Sequence, residues 1–180
     1  MTVLPIVVSP DPRLKEMSKP VTDITPDVLQ ILDDMLDTMY AAGGIGLSAV
    51  QVGHMLRLVT VDVEQSEDGT PGNPIKMINP EVIEFSDEKN VYKEGCLSFP
   101  GHYSDVKRPK FATIRYIDVQ GNEQNLQADE LMATCVQHEI DHMNGIVFVD
   151  HISKLKRDMI IKKINKARKL EQLDPERYDV

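Results

Sequence analysis

Hydrophobic positions along the chain follow two rhythms. Between residues 26 and 41, Val28, Leu29, Leu32, Met35, Leu36 and Met39 recur at three- and four-residue steps, which places them on one face of an α-helix. Thr25 is placed to cap its first turn, Pro26 suits the first helical position, and Gly43-Gly44 ends the run. The stretch from Asp129, a cap candidate, to Asn144 reads as a further helix, closed by Gly145. Residues 152–171 form the last, with Ile152, Leu155, Met159, Ile160, Ile164, Ala167 and Leu170 as its stripe.

Between the first two helices the pattern changes to strands. MLRLVTVDV (55–63) is apolar and β-branched, and IKMINPEVIEF (75–85) reads as a strand or strand pair interrupted at Asn79-Pro80. ATIRYIDV (112–119) alternates with period two, Gly121-Asn122 turns the chain, and EQNLQA (123–128) completes a hairpin. EQSEDGTPGNP (64–74) is polar and turn-rich, hence a loop. The order helix, strands, helix, helix predicts an α+β fold. Its mainly antiparallel sheets pack around the helix at 129–144, with an N-terminal helix and a C-terminal amphipathic helix. Strands and helices do not alternate as a doubly wound parallel sheet requires. At 180 residues, a single domain over 1–180 is expected.

Composition narrows this picture. With 41% hydrophobic and 27% charged residues the chain is no disordered tail. No apolar stretch approaches the ~20 residues that span a bilayer, so no membrane partner is expected. The opening MTVLPIVVSPDPRL has no basic segment before its short apolar run and does not read as a secretion signal. Two cysteines, Cys96 and Cys135, are no disulfide framework. A cytoplasmic protein is the expectation. The net charge of −9 argues against nucleic acid as the main partner. It is unevenly spread, however. Residues 152–171 hold eight Lys or Arg against Asp158 and Glu171, a local +6 that leaves −15 on the other 160 residues. That basic face is either the solvated side of a packed helix or a docking element for an anionic partner.

The chemistry centres on Gln137-His138-Glu139-Ile140-Asp141-His142, which contains H-E-x-x-H. On a helix, His138 and His142 share one face and can offer two imidazoles to one metal ion, with Glu139 placed as proton shuttle. Two buried helix histidines with ordinary hydrogen bonds would also satisfy the pattern. Proteases with H-E-x-x-H usually take a third ligand downstream. His151 is the only later histidine, and nothing in its setting returns it to the metal. Upstream, Glu94-Gly95-Cys96-Leu97-Ser98 puts a cysteine in a turn beside a glycine. Its thiolate would be a strong soft donor, and Cys with two His leaves a fourth position open. Cys96 as a small buried apolar residue is the alternative. Gly44-Ile45-Gly46-Leu47-Ser48-Ala49-Val50-Gln51-Val52-Gly53 permits close backbone approach. Following a helix, it is no dinucleotide fingerprint. Gln51 offers an amide donor for an oxyanion, or the loop packs tightly on the sheet.

Taken in order, G-I-G-L-S-A-V-Q-V-G, E-G-C-L-S and Q-H-E-I-D-H resemble the three motifs of the peptide deformylase family, and Pro10-Asp11-Pro12-Arg13-Leu14 resembles its opening. The resemblance covers essentially the whole chain. It implies removal of the N-formyl group from the initiator methionine of nascent polypeptides, releasing formate. It also implies that Cys96, His138 and His142 bind one divalent metal with water in the fourth position. The implied ion is Fe²⁺, with Ni²⁺ or Co²⁺ as active substitutes; bond preference would also suit Zn²⁺. Glu139 would move the proton, and the Gln51 side chain and Leu97 N–H would meet the oxyanion. The peptide would add as a strand at Ile45-Gly46 and Gly95. The methionine pocket would be lined by Ile45, Tyr92, Glu94, Leu131, Thr134, Cys135 and His138. Two departures stand out. Ser48 replaces the family's usual alanine, a small change expected to leave the loop in place. Thr134 stands where relatives often have an aliphatic residue and is expected to make the pocket less apolar.

The resemblance further implies docking of the 152–171 helix on the ribosome, with no sequence-specific contact to nucleic acid. A formylmethionyl substrate implies bacterial or organellar translation, and the absence of a transit peptide favours the bacterial cytoplasm. Competing readings are an H-E-x-x-H metalloprotease and a non-enzymatic metal-binding homologue. The first would cleave internal bonds of unformylated peptides, and the second would lack turnover.

Overall fold

The computed structural model describes residues 2–66 and 70–169. Helix α1 spans Pro26–Ala41 and starts as the sequence predicts: Thr25 Oγ1 accepts the Val28 N–H at 3.4 Å. Its apolar face meets the main sheet of β1 (Gly46–Ser48), β2 (Leu58–Val61), β3 (Ile75–Phe85), β6 (Phe111–Ile117) and β7 (Glu123–Asp129). These lie in the order β1-β2-β3-β6-β7, each pair antiparallel. Adjacent residues of a strand face opposite ways. Leu58 and Ile78 therefore pack with Leu32, Met35 and Met39 of α1. Val59, Val61, Met77 and Ile114 pack on the other face with Ala133, Val136, Ile140 and Met143 of α2 (Glu130–Met143). The sheet is thus covered by a helix on each side. Each fully buried Leu, Met or Ile contributes roughly 1.5–3 kcal/mol of transfer free energy.

The expected interruption at Asn79-Pro80 is a bulge. β3 runs unbroken, with register shifts between Ile78 and Glu81 and between Val82 and Glu84. Asn79 takes φ 51°, and its side-chain amide closes on the backbone N–H and C=O of Val21, both at 2.8 Å. Proline has no N–H to lose from the ladder, so the bend sits there. β2 is shorter than the 55–63 run. Buried Asp62 takes the Tyr40 hydroxyl at 2.6 Å and the N–H groups of Glu64, Gly72 and Asn73, and the chain leaves the sheet for the expected loop.

A second sheet, β4 (Lys89–Gly95) with β5 (Tyr103–Pro109), is absent from the sequence reading. Its buried positions are Glu94, Ser104, Val106 and Arg108, so its inner face is largely polar and the apolar alternation never develops. Helix α3 (Lys154–Lys169) departs from its predicted stripe. Ile164 is buried and Ile152, Ile160 and Ile161 pack beside it, while Leu155 and Met159 are 72% and 52% exposed. Leu170 lies outside the described residues. Among the described residues no helix is long and apolar enough to cross a membrane.

Candidate metal centre

Helix α2 sets the first two donors. One helical turn separates His138 from His142, whose ring centroids lie 5.0 Å apart. Cys96 follows the last residue of β4, and its Sγ lies 3.1 Å from His142 Nε2. One ligand atom from each of Cys96, His138 and His142 falls within 4.8 Å of the others. His151 does not join them. Its Nε2 is 2.7 Å from Asp141 Oδ2, and among the described residues no group downstream of His142 joins the cluster.

The donor set fits a divalent ion on two further observations. His138 Nδ1–H donates to Glu94 Oε2 at 2.9 Å, which leaves Nε2 with its lone pair for the centre. Burial alone would push His138 down in pKa. The Cys96 sulfur and the Glu94 carboxylate instead raise it well above its ordinary value. His142 is pushed well below its ordinary value by burial and by His138, and so favours the neutral, ligating form. Its Nδ1 is buried without a hydrogen-bond partner. A thiol and two imidazoles suit Zn²⁺, Fe²⁺ or their neighbours.

Behind His138 runs a buried ion network that the sequence did not reveal. Arg108 grips Glu94 with two bonds, Nε to Oε1 at 2.6 Å and Nη2 to Oε2 at 3.0 Å, and reaches Asp141 Oδ2 with Nη1 at 2.7 Å. The side chains of Arg108 and Glu94 are only 6% and 4% exposed. Burial would raise the Glu94 carboxyl, but His138 and Arg108 hold it below its usual range. Asp141 is likewise held low by His151 and Arg108 against the effect of burial. Asp141 lies within Q-H-E-I-D-H. Arg108 sits in a Lys-Arg-Pro stretch with no pattern to single it out.

A cavity of about 400 Å³ opens onto the centre. Gln51, Leu97 and Glu139 line it, as do Ile45, Gly46, Tyr92, Glu94, Gly95, Leu131, Thr134 and Cys135. His142 lies beneath, fully buried. Glu139 has one carboxylate oxygen buried without a partner. Burial pushes its pKa up to about 7, against the opposing pull of His138 and Ser48. Gln51 Oε1 accepts both the N–H and the hydroxyl of Ser48, at 2.9 and 3.0 Å. Only a carbonyl oxygen can accept the backbone N–H, so the amide nitrogen faces the centre, 3.5 Å from Cys96 Sγ and 3.3 Å from Ser98 Oγ. Ser48 therefore orients Gln51, through its backbone N–H and also through its hydroxyl, which the family's usual alanine would lack. Among the described residues the Leu97 N–H takes no protein acceptor.

Gly46 is required by close approach, since a Cβ there would meet Cys135 Sγ at 2.6 Å and Glu139 Oε1 at 2.8 Å. Cys135 Sγ donates to Ile45 O at 3.4 Å, and burial raises its thiol well above the usual value, so it is a neutral wall. Glu94 borders the cavity, but its carboxylate is engaged by His138 and Arg108.

A family model described as polypeptide deformylase matches residues 3–158. The peptide deformylase of Rhodopseudomonas palustris (strain TIE-1) is 51% identical over 169 residues, 94% of this chain and 97% of that protein. That of Bartonella bacilliformis is 50% identical over 98% of this chain and 99% of its own. The crystal structure of peptide deformylase from Ehrlichia chaffeensis in complex with actinonin superposes with a TM-score of 0.87 at 43% identity, covering 92% of this chain and 98% of that one.

Proposed function

The chain belongs to the polypeptide deformylase family of metal-dependent hydrolases, which remove the formyl group from nascent polypeptides, and from that premise we propose how its own residues divide the work. Cys96, His138 and His142 hold one divalent ion. When bound, the ion supplies Lewis acidity, lowering the pKa of a water and polarising the formyl carbonyl. Glu139 takes the proton of the attacking water and returns it to the leaving amine. Its upward-shifted carboxyl suits both halves of that task. The Gln51 Nε2–H and Leu97 N–H donate to the carbonyl oxygen as it gains charge. Ser48 holds the amide in the donating orientation beforehand, so no reorganisation is needed at the moment of reaction.

Substrate binding uses open strand edges. β1 pairs only with β2, and β4 only with β5, among the described strands. The peptide adds as a strand at Ile45-Gly46 and Gly95. The methionine side chain enters between Ile45, Tyr92, Leu131, Thr134 and Cys135. Fe²⁺ is our assignment for the ion in the cell, with Ni²⁺, Co²⁺ or Zn²⁺ entering in preparations. Thiolate-bound Fe²⁺ oxidises readily, so activity falls on exposure to air and survives anaerobic handling. We further place the protein in the bacterial cytoplasm, with the basic face of α3 against ribosomal RNA phosphates.

The observation that carries this reading is the clustering of Cys96, His138 and His142 beside a cavity that Gln51 and Glu139 line. Anaerobic metal analysis coupled to formate release from formyl-Met-Ala-Ser tests it. The expected result is one ion per chain and release of formate without cleavage of internal bonds. Cleavage of unformylated peptides at internal bonds would overturn it.

A further inference from the structure

Glu130, the first residue of α2, has φ 45°, a left-handed conformation that side chains bearing a Cβ rarely adopt. Glycine would sit there without strain. Strained residues persist where their surroundings over-determine them. Here the surroundings are specific. Glu130 Oε2 accepts the Tyr92 hydroxyl at 3.0 Å and the Asn90 side-chain amide, and Oε1 lies 3.4 Å from Lys110 Nζ. Lys110 also has Glu88 at 3.2 Å and does not depend on Glu130. Asn90 and Tyr92 alternate along β4 and so share a face. Tyr92 lines the cavity, as does Leu131, the residue after Glu130.

We propose that Glu130 is a positioning residue for substrate selection: its carboxylate fixes the Tyr92 hydroxyl, so that the ring stands as one wall of the side-chain pocket. The coupling is mutual. The bond to Glu130 raises the Tyr92 phenol above its ordinary pKa, and the same bond from Tyr92 leads the forces that lower the Glu130 carboxyl. The inference rests on reading this cavity as the methionine pocket.

The test measures thermal midpoint, metal content, kcat and KM for E130G, E130Q and Y92F, with formyl-Met, formyl-norleucine and formyl-Phe peptides. E130G releases the strain, so its midpoint stays level or rises. Its KM for formyl-Met rises about threefold to tenfold, the worth of one oriented hydrogen bond, with metal content retained. Its preference for formyl-Met over formyl-Phe narrows. E130Q keeps an acceptor for the hydroxyl and retains most of the wild-type KM. Y92F repeats the E130G phenotype, and the double variant is no worse than either single one. Wild-type KM and selectivity in E130G, or effects of E130G and Y92F that multiply, would overturn the proposal. L131W, which fills the pocket from the neighbouring position, separates the two readings. If L131W leaves KM unchanged, the pocket assignment itself fails. If L131W raises KM while E130G and Y92F do not, only the role of Glu130 fails.

Discussion

Gln51 shows how much a single side chain depends on its neighbours. Its amide could point either way, and two donors from Ser48 remove that freedom. Gln51→Ala should therefore cost about 10²–10³ in kcat with metal content unchanged, checked by steady-state kinetics beside metal analysis. Ser48→Ala keeps the N–H donor and loses only the hydroxyl, so its kcat should fall by less than about tenfold. The two histidines were legible from their helical spacing, whereas Cys96 joined them only through the family resemblance, since a lone cysteine beside a glycine is as often a small apolar residue. Ser48 was not legible, because its effect depends on where the Gln51 oxygen lies, which no local spacing encodes. His151 pairs with Asp141 and lies outside the Cys96, His138 and His142 cluster.

At the scale of elements, legibility followed burial of apolar surface. α1 matches its stripe because one face is buried against the sheet. The β4–β5 hairpin leaves no apolar alternation in the sequence because its inner face carries Glu94 and Arg108. Those polar residues brace the centre. Arg108→Met would leave Glu94 charged, buried and half-partnered. It should destabilise the fold by about 3–5 kcal/mol in denaturant unfolding and weaken metal affinity by about 10–100-fold in chelator competition. Asp62 anchors the loop that follows β2. Burial opposes its ionisation, but the Tyr40 hydroxyl and three backbone N–H groups outweigh it, and its pKa lies below the ordinary value. Its stabilisation is therefore complete above the unfolded value of about 3.9 and drains away as pH falls through the lower folded one. In unfolding series from pH 6 to 2.5, Asp62→Asn should be less stable than wild type at neutral pH, with the gap closing in acid.

Over the whole molecule, the −9 net charge joins an acidic body to a basic end. α3 keeps only Ile164 fully buried, and its lysines are exposed among the described residues. Replacing Lys156, Lys163 and Lys166 with glutamate should lower ribosome co-sedimentation and flatten its salt dependence, while leaving formate release from a tripeptide intact. Binding unchanged by all three would mean the basic face is only a solvated surface. The fold class was legible from the order of rhythms, while the packing of α3 was not, because the face it buries through Ile160, Ile161 and Ile164 lies away from Leu155 and Met159, which the predicted stripe included. We assign the proton transfer to Glu139, at a centre held by Cys96, His138 and His142. The most direct test is formate release from formyl-Met-Ala-Ser by anaerobically prepared Glu139→Ala, with metal content measured on the same sample. About one ion per chain and turnover reduced by at least about 10²-fold are expected; wild-type turnover with the ion in place would show that Glu139 does not move the proton.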